Sequence, residues 1–467
     1  MEFIKLIESF KEDIIKSTQD IVKIKSVEEE GKPNMPFGEG PYRALEFALN
    51  LAEGMGFKTK NFDGYAGHAD LGDGDETVGV LVHLDVVPEG EGWTYPPYGG
   101  EIHDGKIYGR GTSDDKGPAI ACLYAMKALK ESGVELKKKI RIIFGTNEET
   151  GWGCMKYYFK HEKAPDMAFT PDADFPVIHG EKGIIVFDLV QKLDTNRCNG
   201  IIVKSIKGGN AANMVPDHCE AVLQVEDISQ IEEKLNNFVE NTNYPISLER
   251  LGADEIKITA KGVSAHGSTP EKGKNAISYL MAFLGKILSG ECRVCEFVKI
   301  YNERIGFRHN GEAIGCGFED DVSGKLNFNP GVIKGDEEEI RLIINVRYPI
   351  KSSAREVYDG IRENLKGTNI ELIEGESDMK PLYVPKEHPL VEKLMKVYRE
   401  QTGDTESQPI TIGGGTYARA MENAVAFGPN FPGQKEVAHQ KDEYISIDHL
   451  MKLTKIYAHA LYELARD

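Results

Sequence analysis

The run HLDVV, beginning at His83, puts a histidine and a carboxylate, Asp85, two residues apart at the end of an apolar stretch. On an extended strand both side chains point to the same face. His83 can then serve as a metal ligand while Asp85 holds its second ring nitrogen. A hydrogen-bonded histidine at a strand end has the same local sequence, so the pair decides nothing by itself. The segment GRGTSDDKG, Gly109 to Gly117, ends in adjacent acids just before a helical pattern. Asp115 in such a turn can reach outward and bridge two cations through its two oxygens, and Asp114 suits the helix-capping role that Asp often takes. Glu148 and Glu149 follow the apolar run IRIIFG. Two such neighbours repel unless a proton or cation intervenes. That makes Glu149 a candidate ligand and Glu148 a candidate general base for a water; a solvated acidic loop is the plainer alternative. Asp172 in TPDADFP follows another apolar run, and His439 lies in VAHQKDEYIS.

Together His83, Asp115, Glu149, Asp172 and His439 supply two histidines and three carboxylates, enough for two divalent ions sharing one carboxylate. A pair of ions about 3.5–4 Å apart polarises a carbonyl and lowers the pKa of a shared water. Histidine and carboxylate donors bind Zn2+ well, and Mn2+ or Co2+ also suit them. Arg347 in NVRYP offers a planar fork that fits both oxygens of a free carboxylate, although a structural salt bridge would use the same fork. The loop IGGGTYAR, Ile412 to Arg419, lacks both the Lys-Ser/Thr ending of a phosphate loop and the G-x-G-x-x-G spacing of a dinucleotide site. No G-x-S-x-G elbow is present, so a serine nucleophile has no support.

These residues need a frame that holds strand ends side by side. From about Thr77 to Phe175, short apolar runs alternate with helical patterns, which predicts an α/β catalytic domain: a mostly parallel central sheet flanked by helices. Past Gly183 the strands show half-buried alternation with helices between them, the texture of an inserted α+β lid domain. The predicted boundaries are 1–182 for the first part of the catalytic domain, 183–384 for the lid and 385–467 for the second part. A net charge of −19 argues against a nucleic-acid partner. No apolar run is long enough to span a membrane, and the start lacks the pattern of a signal peptide. Seven scattered cysteines suit a reducing compartment, so a cytoplasmic protein with free thiols is expected. The lone C-x-x-C of Cys292 and Cys295 reads as two such thiols.

The motifs H-x-D-V-V-P, G-R-G-x-x-D-D-K-G, E-E-T-G, P-D-A-D-F-P and A-H-Q, in this order, resemble those of the co-catalytic two-zinc peptidase family that includes aminoacylase, carboxypeptidase G and succinyl-diaminopimelate desuccinylase. Within it the pattern is most similar to the bacterial dipeptidase PepV group, also known as Xaa-His or β-Ala-Xaa dipeptidases. The resemblance implies a zinc-peptidase-like fold and a metallo-exopeptidase that acts on short peptides, mainly dipeptides. It implies that Asp115 bridges two metals, with His83 and Asp172 on one and Glu149 and His439 on the other. Glu148 would be the base and Asp85 the partner that orients His83. The peptide between Asp115 and Lys116 would be cis. His266 in GVSAHGSTP would stabilise the oxyanion, and Asn213, Arg347, Gly414 and Gly415 would hold the substrate. Long-lid members of this family imply a monomer. Two alternatives stay open: a deacylase or desuccinylase of N-acyl amino acids with the same centre, and a binding protein that has lost catalysis.

Overall fold

The structure is a computed structural model that describes residues 1–193 and 197–467. The chain forms two units, the first from residues 1–179, 383–410 and 415–467, the second from residues 180–382 and 411–414.

In the first unit, six strands run side by side in the order Lys58–Phe62, Ala66–Leu71, Lys139–Gly145, Thr77–His83, Met167–Thr170 and Ala424–Ala426. The last four are mutually parallel. The first two pair antiparallel with each other, and Ala66–Leu71 also pairs antiparallel with Lys139–Gly145. The sheet is therefore parallel only at its centre. The expected mostly parallel sheet left out the edge hairpin, whose strands KTKNF and AGHADL lack a continuous apolar run. Thr77–His83 is buried along its whole length, as a strand covered on both faces must be. Helices Lys116–Ser132 and Ile447–Ala465 pack on each other and on this central pair of strands. Between them they bury Ile120, Leu123, Met126, Leu129, Leu453, Ile456 and Leu461. Each such side chain contributes about 1.5–3 kcal/mol relative to exposure.

The parallel register sets His83 level with Gly145. The loops that leave the carboxyl ends of adjacent parallel strands therefore start side by side, the usual place for a site in an open α/β sheet. A close backbone approach shapes one of these loops. A Cβ on Gly117 would lie 2.1 Å from the Thr112 carbonyl oxygen, so only glycine lets residues 109–115 fold back over the start of the helix.

The second unit is built on an antiparallel sheet in the order Ile246–Arg250, Glu255–Lys261, His218–Val225, Ile201–Gly208, Asn327–Gly335, Glu339–Tyr348, Gly183–Lys192 and Glu371–Ile373. Buried and exposed positions alternate along Ile201–Gly208, His218–Val225 and Glu255–Lys261, the pattern of a sheet with one covered face. Helix Ala276–Ile287 packs on two of these strands. Helix Ala354–Leu365 starts with a capping box in which Ser353 and Glu356 satisfy each other's backbone N–H groups. The expectation of seven free thiols is not met here. Cys198 and Cys292 form a disulfide, while Cys122, Cys154, Cys219, Cys295 and Cys316 are free and buried.

Candidate metal centre

His83 is the last residue of its strand, and its imidazole is 1% exposed. Its Nδ1 lies 3.0 Å from the backbone oxygen of Asp85 and 3.6 Å from the Asp85 carboxylate. Its Nε2 points at acids, 2.8 Å from Asp114 Oδ1 and 3.7 Å from Asp172 Oδ2. On the other side, His439 Nε2 lies 3.0 Å from Asp114 Oδ2 and 3.2 Å from Glu149. Two trios result, His83–Asp114–Asp172 and Asp114–Glu149–His439, each with its donor atoms within 4.8 Å of one another. Asp114 belongs to both, offering one oxygen to each histidine.

The expected bridging place of Asp115 is thus taken by its neighbour. The Asp115 carboxyl is turned inward and fully buried, where Oδ2 accepts the backbone N–H of His83 at 3.2 Å. The capping assignment is reversed as well. Asp115 occupies the N-cap of helix Lys116–Ser132, without a side-chain cap hydrogen bond, and Asp114 lies outside it. The cis peptide joins Asp114 to Asp115 rather than Asp115 to Lys116.

Asp85 has a second job beside facing His83 Nδ1. Its carboxylate accepts the backbone N–H of Glu148 at 3.0 Å and of Glu149 at 3.1 Å. One residue therefore fixes His83 through its carbonyl and the Glu-Glu turn through its side chain. Glu148 is anchored by Trp152, whose Nε1–H donates to Oε1 at 3.1 Å, and it belongs to neither donor trio.

Glu443 was missed from sequence, being one more acid in the segment KDE. It is fully buried, and its Oε1 accepts the backbone N–H groups of Gly111, Ser113 and Asp114 at 3.0, 2.9 and 3.3 Å. Its Oε2 accepts from Arg110 Nη1 at 2.7 Å, and the same Nη1 donates to the Gln440 carbonyl. This carboxylate ties the loop carrying Asp114 to the segment carrying His439. His439 itself sits at φ 62°, a left-handed conformation that a histidine holds only when its surroundings enforce it.

The electrostatics fit a cationic occupant. Burial opposes ionisation of Asp114, yet its hydrogen bonds with His439 and His83 hold it far below the usual carboxylate range. Burial, then the Asp114 charge, pushes Asp172 up to about 7. Burial raises Glu149, with Asp114 adding to it, and raises Glu148 and Asp115, where Asp172 adds most. For His83 burial works against protonation, but Asp172 and Asp114 outweigh it and raise its pKa well above the usual imidazole value. Hydrogen bonds to Asp114 and Glu149 lift His439 to about 11. Divalent cations would offset the repulsion among these crowded carboxylates. The donors suit them: nitrogen and oxygen atoms about 2.0–2.2 Å from one tetrahedral ion lie roughly 3.3–3.6 Å apart, close to the 2.8–3.7 Å separations from the histidine nitrogens.

The other expected site residues, except Gly415, lie in the second unit. The Asn213 carbonyl accepts the N–H of Gly267 at 2.7 Å, and Met214 bridges His266, so the Asn213 and His266 loops run together. Asn329 clamps the first loop through the carbonyls of Ala212 and Met214. His266 is exposed, with Nδ1 2.6 Å from Ser268 Oγ. Arg347 is largely buried; its Nε–H donates to Asn345 and its Nη1–H to the carbonyl of Gly413, next to Gly414. Gly415 belongs to the first unit.

Comparison with known proteins gives this chain relatives. Residues 79–463 match the peptidase family M20/M25/M40. A Bacillus subtilis (strain 168) protein named "Putative dipeptidase YtjP" is 41% identical over 460 residues, covering 98% of each chain. A Staphylococcus haemolyticus (strain JCSC1435) protein, "Putative dipeptidase SH1171", is 39% identical over 471 residues, again with 98% of each covered. Among solved structures, human carnosine dipeptidase 1 shares the fold at a TM-score of 0.60 and 15% identity, over 100% of this chain and 98% of the other.

Proposed function

The chain belongs to peptidase family M20/M25/M40 and is a hydrolase acting on peptides, and from that premise we propose that it is a two-metal dipeptidase. The observation that carries this reading is Asp114, one carboxylate facing a histidine through each of its oxygens. His83, Asp114 and Asp172 would hold one divalent cation, and Asp114, Glu149 and His439 the second, with Zn2+ the best match to the donors and Mn2+ or Co2+ alternatives. When bound, the pair would supply Lewis acidity, polarising the scissile carbonyl and bringing a water's pKa from 15.7 down to about 7.

The chain's own groups do the rest. Glu148, held by Trp152, takes the proton of the attacking water and passes it to the departing amine. Asp85 keeps Glu148 and Glu149 in register with His83. In the resembled PepV-like dipeptidases the lid supplies the remaining contacts. On that basis Arg347 and Asn213, with the Gly414–Gly415 loop, take the substrate's free carboxylate, and His266 stabilises the oxyanion.

A substrate panel tests this reading. A free dipeptide should be hydrolysed at least about tenfold better, in kcat/KM, than either its carboxy-amidated form or the matching N-acetyl amino acid, since losing one charged contact costs roughly 1.4 kcal/mol or more. Preferred cleavage of the N-acetyl amino acid would replace the dipeptidase reading with the deacylase one. Equal cleavage of the amidated peptide would remove the carboxylate contact. We also infer a monomer, because the second unit takes in residues 180–382 and the resemblance to long-lid members of the family implies one. Light scattering should return 51.8 kDa, and a mass twice that would overturn the inference.

A further inference from the structure

Three cysteine sulfurs meet in the second unit. Cys292 and Cys295 are the C-x-x-C of the sequence, and the fold adds Cys198, 94 residues upstream. Cys198 and Cys292 are joined as a disulfide, and the Cys295 sulfur lies 2.7 Å from that of Cys198 and 2.9 Å from that of Cys292. Cys198 is 2% and Cys295 8% exposed within the apolar core of the unit, with Cys292 packed against it. Cys292 is also the N-cap of helix Arg293–Ile300, where its Sγ accepts the backbone N–H of Cys295 at 3.2 Å. The positive end of a helix favours the thiolate over the thiol.

We propose that the reduced triad Cys198, Cys292 and Cys295 is a three-thiolate site for a thiophilic d10 cation of the Zn2+, Cd2+ or Cu+ class, and that the disulfide is its closed form. Three sulfur donors without oxygen select soft cations, a chemistry distinct from that of the His/carboxylate centre. Thiolates about 2.3 Å from one ion in a trigonal plane lie roughly 4 Å apart, so once the disulfide is reduced the Cys295 sulfur has to move only roughly 1 Å from its present 2.7 and 2.9 Å separations. Opening the site needs a dithiol reductant. Its two sulfurs give up two electrons and become a disulfide, the Cys198–Cys292 bond breaks, and two protons pass to the freed sulfurs. Cation binding then displaces protons from the thiols.

The test uses the full-length chain reduced with a dithiol, desalted without oxygen and titrated with Cd2+. A thiolate-to-Cd2+ charge-transfer band should grow in the ultraviolet and saturate at one equivalent, a signature that nitrogen and oxygen ligands do not give. Cys198→Ser, Cys292→Ser and Cys295→Ser should each cut the band by more than half, with far-ultraviolet circular dichroism confirming that each variant is folded. Wild-type protein reoxidised with a disulfide oxidant should lose the band, a comparison that needs no variant. No band in the reduced wild type would overturn the proposal. So would an undiminished band in the triple serine variant or in the reoxidised protein.

Discussion

Glu148→Gln is expected to lower kcat about 10^2–10^4-fold while leaving the metal content unchanged, since that is the range by which a positioned general base accelerates a reaction. The substitution is close to isosteric. An amide oxygen can still accept the hydrogen bond from Trp152 Nε1, and the backbone N–H that Asp85 holds is untouched. The side chain stands outside both donor trios, so neither cation loses a ligand. What disappears is the capacity to take a proton from water and return it to the amine. Steady-state kinetics on a dipeptide, together with elemental analysis of the purified variant, checks both halves. Hydrolysis near the wild-type rate would remove Glu148 from the chemistry. Loss of metal with loss of rate would make it a ligand instead of a base.

The sequence made the chemistry of this centre legible, and its geometry less so. His83, Glu149, Asp172 and His439, which the structure brings together, stand out in the sequence because each lies beside an apolar run or in a compact motif, and the sheet places three of those runs in parallel. The choice between Asp114 and Asp115 could not be made in the same way. Adjacent acids carry equal chemistry, and which one faces outward depends on how the turn Gly109–Asp115 enters the helix. Three hydrogen bonds to the distant Glu443 settle that turn. Glu443 had no local mark, since one buried acid among exposed ones looks like its neighbours. The edge hairpin Lys58–Leu71 was passed over because its strands are short and mixed in polarity. The Cys198–Cys292 pairing spans 94 residues, beyond what spacing can specify.

The two acids can be separated experimentally, and the contrast should be large. Asp114→Asn is expected to abolish detectable turnover and to strip both cations, because Asp114 is the one residue common to the two trios. An amide keeps a single neutral oxygen where two charged ones faced His83 and His439. The loss in metal affinity should therefore exceed the roughly 10–100-fold that follows from losing an outer partner of a ligand. Asp115→Asn should retain both metals and most of the activity. Its burial raises the carboxyl's pKa, so a neutral amide is a near replacement, and the amide oxygen can still accept the His83 backbone N–H. The residual cost is about 1–3 kcal/mol of stability, from an amide N–H placed where Asp115 Oδ1 is buried without a hydrogen-bond partner. Metal content by elemental analysis and the urea midpoint distinguish the two variants. If Asp115→Asn lost both metals while Asp114→Asn kept them, the bridge would return to Asp115. Loss of metal in both variants would instead mean that the turn between the two acids, and not one carboxylate, decides binding.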